Sequence, residues 1–197
     1  MNRRRECYRK YRMLFSIACA VLPALAPADP VKEGVVPETG LRYWEWQSQG
    51  VLFRLTQRLP DQTRAFFMAR DFDAGNANIV ATQCVFQTMF RNTGGKGSGA
   101  VEINLDEWVV EANDTQSSLV TREQWKQKWT SRGVSAGAMI AFEWSLLPTT
   151  QVYPPDDYHW GMTSYGLAPC SRLALHFSSR RNGHHLYSSF RRVTYTL

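Results

Sequence analysis

The chain lacks the short motifs that would name a metal or redox chemistry. It has no H-E-x-x-H and no C-x-x-C, which removes the helical zinc pair of a metalloprotease and the paired-thiol redox motif. Charge of one sign is also scarce once position is considered. Of the formal net charge of +6, residues 1–28 carry +5, and the remaining 169 residues hold 17 basic against 16 acidic side chains. A body this near neutrality exerts no bulk attraction on phosphate backbones, so nucleic acid is not an expected partner. Beyond residue 28 no apolar run reaches membrane-spanning length. Glycine and proline together number 22 against 44% apolar residues, which excludes collagen-like repeats and general disorder. What the chain has is aromatic bulk: 13% Phe, Trp and Tyr, with seven Trp, ample for a packed core in a chain this size.

The first 28 residues have the three-part form of a secretory signal. A basic stretch ends at Arg12, an apolar run covers residues 13–26, and Ala26-Pro27-Ala28 precedes Asp29. The run would span about 21 Å as a helix, short of the roughly 30 Å hydrocarbon core, and Pro23 interrupts it. We therefore expect cleavage after Ala28 and a periplasmic or secreted protein. Residues 29–41 read as an extended leader and residues 42–197 as one domain. Cys7 and Cys19 leave with the signal. Cys84 and Cys170 then remain in an oxidising compartment, where a pair of this kind is expected to form a disulfide.

Hydrophobic periodicity predicts a mainly β domain. Val51, Phe53, Leu55 and Leu59 lie on odd positions with Arg54, Thr56 and Arg58 between them, and Cys84, Phe86, Thr88 and Phe90 share one parity, the period of half-buried strands. The stretch 63–72 fits a strand or a short helix, and Asp73 could cap one or two helical turns through Val80. The Gly-rich segment 93–99 reads as a hairpin loop, and a phase slip at Asp106-Glu107 as a β-bulge. A helix is expected at about 121–132, where Thr121 and Gln124 form a capping box, Gly133 follows the last turn, and Trp125 and Trp129 share one face. The alternation of Ile140, Phe142, Trp144 and Leu146 predicts a strand. Leu173, Leu175 and Phe177 predict another, joined to the last strand by the tight turn signal Asn182-Gly183. Six or seven strands with one inserted helix predict an antiparallel, immunoglobulin-like β-sandwich.

Candidate chemistry gathers in the segment 148–169, which reads as a long connection. Tyr153, Asp156, Asp157, Tyr158, Trp160 and Tyr165 are its candidate binding residues, since amphipathic rings suit recognition of a protein or a glycan. The competing reading is that the segment only covers one end of the sandwich. A second set, His159, Met162 and His176, is the alternative as copper ligands, because imidazole and thioether both suit that metal. His184 and His185 fall beside a tight turn and read as solvated. No catalytic residue is assigned, and the expected role is a non-catalytic binding or accessory module. Asn113-Asp114-Thr115 is a glycosylation sequon whose use depends on the host.

Overall fold

The computed structural model describes residues 31–169 and 171–194, so the expected signal segment 1–28 and Cys170 lie outside the described residues. The elements run β1 (Val31–Val35), β2 (Arg42–Ser48), β3 (Val51–Gln57), α1 (Pro60–Met68), α2 (Ala74–Ala81), β4 (Val85–Asn92), β5 (Val101–Asn104), β6 (Val109–Ala112), β7 (Thr115–Ser118), α3 (Arg122–Ser131), α4 (Ala136–Ser145), β8 (Thr150–Tyr153), β9 (Tyr158–Ser164), β10 (Arg172–Arg181) and β11 (His184–Thr194). The protein is mainly β, with two antiparallel sheets.

The first sheet has the order β1-β2-β3-β4-β9. Trp44, Trp46, Phe53, Leu55, Phe86 and Phe90 are all buried in one cluster, while Glu45, Arg54 and Met89 lie on the opposite face by register, as the sequence periodicity of β3 and β4 predicts. In the second sheet the long strand β10 pairs along one edge with β11 and along the other with both β6 and β5, beyond which lie β7 and β8. The inward faces of the two sheets supply a common cluster. Phe53 stands at its centre, with ring centroids 4.7 Å from Phe177, 5.0 Å from Trp108 and 5.2 Å from Phe190. Tilted and edge-on pairs of this kind add to the burial of the rings themselves.

Several expectations need correction, beginning with the single inserted helix, since the described residues hold four α-helices. The segment expected as a strand through Ile140, Phe142, Trp144 and Leu146 is mostly helix α4, capped by Ser135, whose Oγ accepts from the Ala138 amide at 3.2 Å. Of the two readings open for the stretch 63–72, the short helix is the one present, with Pro60 at the first position of α1, where its missing N–H costs nothing. Glycines 94–99 do not close a hairpin but carry the chain from β4 in one sheet to β5 in the other. The phase slip at Asp106-Glu107 is a short 3-10 turn, Leu105–Glu107, that separates the two strands paired with β10. The leader is likewise not all irregular, because β1 forms the edge of the first sheet.

The helices build a second core on the outer face of the first sheet. Phe67, Phe72, Val80, Trp125, Trp129 and Phe142 pack with Val85 of β4 and Met162 of β9. Trp125 and Trp129 stack at 5.0 Å, and the Trp125 indole donates to Ser164 Oγ at 2.8 Å. These two rings pin α3 to the sheet, as their i, i+4 spacing implied. Asp73 caps α2 by accepting from the Asn76 amide at 2.8 Å, which holds its carboxyl below the usual range.

Candidate recognition surface

The segment 148–169 is not one long connection. Strands β8 and β9 fill half of it, and the turn between them crosses from one sheet to the other. Register then decides which side chains can meet a partner. Tyr158 lies opposite Arg91, and Trp160 opposite Met89, on the outer face of the first sheet. They are 55% and 49% exposed, values unusual for rings of this size. By contrast Tyr153 and Tyr165 are core residues, each about 1% exposed. The Tyr153 ring packs 5.1 Å from Phe90, and Tyr165 packs edge-on to Phe86 at 5.4 Å. Burial pushes both phenols well above their usual pKa. These two tyrosines therefore belong to the packing and not to the surface.

The turn carrying Asp156 and Asp157 is held by the backbone of Asn92, which donates to Asp157 O at 3.0 Å and accepts from the Asp156 amide at 2.9 Å. The Asn92 side chain is buried and fully used. Its Nδ2 donates to Gly99 O and Tyr153 O, and its Oδ1 accepts from the Gly94 amide and from Arg181 Nη2. Arg181 also donates to Gln49 O and Gly50 O, so one guanidinium straps the second sheet to the β2–β3 turn. Asp156 lies 3.7 Å from Arg91, and Asp157 Oδ1 accepts from the Tyr158 amide at 2.9 Å. Both carboxylates thus orient the start of β9.

Helix α4 adds to this surface a residue that sequence reasoning placed in a strand. Trp144 is 80% exposed, and Ile140, one turn earlier, is 55% exposed. Leu146, just past α4, forms a parallel bridge with Met162, and the Leu147 amide donates to Met162 O at 3.0 Å. Trp144 and Trp160, each two residues before that bridge, rise from neighbouring segments. The close approach is possible because residue 161 is glycine: a Cβ there would stand 2.2 Å from the Leu147 backbone nitrogen. Farther across the sheet, Arg54 lies over the Tyr43 ring at 3.8 Å and 3.7 Å from Glu45. The surface therefore combines exposed rings with paired charges.

The alternative copper set does not converge. His159 pairs with Phe90 and faces the sandwich, whereas Met162 points to the opposite face and is buried beneath the helices. His176 lies on the second sheet, 3.0 Å from Glu111. Among the described residues no group of three or more His, Cys, Asp or Glu side chains could hold a metal. His159 is half-buried, and its imidazolium is disfavoured by burial and by the nearby Arg122, which lowers its pKa. Arg122 itself donates to Leu146 O. Gly133-Val134-Ser135-Ala136-Gly137 has the spacing of a nucleophile elbow, yet it joins two helices, and Ser135 serves as the cap of α4. An elbow needs a strand-to-helix turn, so the spacing here has a structural use. Cys84 is fully buried, and its amide donates to Leu167 O at 2.7 Å, three residues ahead of Cys170.

No helix among the described residues is long and apolar enough to cross a membrane. The chain matches no family model, no curated protein and no solved structure.

Proposed function

We propose that the protein is an exported binding or accessory module that recognises a protein or glycan partner through the outer face of the first sheet. The carrying observation is the exposure of Tyr158 and Trp160 side by side on β9, with Trp144 on the adjoining helix. Rings of this kind bury large area at low entropic cost on binding while keeping a polar edge. Export is supported by the signal-like segment 1–28, and the immunoglobulin-like reading by an aromatic core shared between two antiparallel sheets.

The test uses a combined Tyr158→Ala, Trp160→Ala and Trp144→Ala variant of the purified protein. Because these rings are about half exposed or more, the folding midpoint should move little. Binding to the partners found by glycan screening, or by pull-down from the native envelope fraction, should be lost. A variant that keeps its partners places recognition elsewhere. A variant that unfolds assigns the rings to packing.

A further inference from the structure

A separate cavity of about 820 Å³ lies on the second sheet. Three arginines line it: Arg172 of β10 and the consecutive pair Arg191 and Arg192 of β11. A regular strand would send one of two consecutive side chains into the core. Here the register slips, with Leu175 opposite Phe190 but Leu173 opposite Val193. Phe190 and Val193 are both buried, and Arg191 and Arg192 are both exposed. The extra residue of this bulge keeps two guanidinium-bearing side chains out of the core. Ala174, the one β10 residue left between the slipped pairs, also lines the cavity, and its short side chain leaves the space open.

Among the described residues none of the three guanidiniums has a hydrogen-bond or ion-pair partner, although other arginines of the protein do. Two acidic residues also line the cavity, Glu111 and Asp114. Glu111 is already engaged at both oxygens, accepting from Gln116 Nε2 at 2.7 Å and lying 3.0 Å from His176 Nε2. It therefore forms a polar rim more than a competitor for the arginines.

We infer that this cavity binds a phosphate monoester between Arg172, Arg191 and Arg192. Planar guanidinium forks match phosphate oxygens in pairs, and three of them suit a doubly charged anion. The volume is in the range of pockets that hold small organic ligands and leaves room for the group that carries the phosphate. That group could belong to a free sugar phosphate or to a lipid headgroup, and the same chemistry would hold either.

Isothermal titration with glucose 6-phosphate and with glucose, together with sedimentation on phosphatidylcholine vesicles with and without phosphatidic acid, separates the cases. Saturable binding of glucose 6-phosphate but not glucose supports a soluble ligand. Binding only to vesicles with phosphatidic acid supports a headgroup. In either case binding should weaken as salt rises, and Arg172→Gln, Arg191→Gln and Arg192→Gln combined should weaken it by at least about tenfold. Ala174→Glu, which sets a carboxylate among the guanidiniums and offers them an intramolecular partner, should abolish it while the fold persists. Lys128→Gln should change nothing. Absence of binding to every phosphate probe, or undiminished binding by the Ala174→Glu protein, overturns the inference, and that second variant decides the matter should the triple variant fail to fold.

Discussion

Replacing Asn92 by Ala removes four hydrogen bonds from the seam between the sheets. Two are donated to the Gly99 and Tyr153 carbonyls, and two are accepted from the Gly94 amide and Arg181. The residue is fully buried, so the abandoned groups have little access to water. At roughly 1 kcal/mol for each neutral bond and about 2 kcal/mol for the charge-assisted one, with some recovery at the partly buried guanidinium, we expect a loss of about 4 kcal/mol. For a domain of this size that corresponds to a fall of roughly 8–16 °C in the thermal midpoint. Urea unfolding should show a lower midpoint with an unchanged slope, because the area exposed on unfolding is the same. A double-mutant cycle with Arg181→Met should return a coupling of about 1 kcal/mol or more. A loss below about 1 kcal/mol, or a coupling near zero, would refute the view that Asn92 and Arg181 act as one strap. The turn ahead of Tyr158 hangs on the Asn92 backbone, so the same variant keeps both of its main-chain bonds.

Gly161→Ala should cost more than about 3 kcal/mol, since the new Cβ meets backbone that cannot step aside; a variant melting with the wild type would show that residues 146–147 and β9 can part cheaply. His159, with its folded pKa below the ordinary value, binds a proton less readily folded than unfolded. Stability should therefore begin to fall as pH drops through about 6.5, before the lowered carboxyls of Asp73, Glu111 and Glu123 contribute at more acid pH. In His159→Gln that first decline should vanish from a urea-midpoint series, and its persistence would assign it to another group. Thiol titration of natively exported, denatured, unreduced protein should find neither Cys84 nor Cys170 reactive, whereas two reactive thiols per chain would exclude the disulfide.

Much of the scaffold was legible without coordinates wherever one side of an element faces the core and the other faces water. Strands β3, β4 and β10 alternate because their inward residues fill the shared core, and α3 declared itself through its capping box and its Trp125–Trp129 stripe. Helix α4 was illegible for a definite reason. Every even position from 138 to 146 is apolar, which satisfies a period of two, yet Ala138, Phe142 and Leu146 are buried while Ile140 and Trp144 are exposed. Only packing of α4 against β9 and the other helices separates these sets, and it turned a presumed core tryptophan into the most exposed one. Strand β9 hid for the opposite reason: its inward positions are His159, Gly161 and Thr163, where a passing backbone demands glycine and Thr88 supplies Thr163 with a 2.7 Å hydrogen bond. The sequence by itself determined the β-rich aromatic core, the capped helix α3 and the concentration of Tyr and Trp near residue 160. Tertiary structure decided which of those rings face outward, that Asn92 and Arg181 meet across the two sheets, and that Arg172 joins Arg191 and Arg192 around one cavity, because each depends on register and on contacts between residues far apart in the chain.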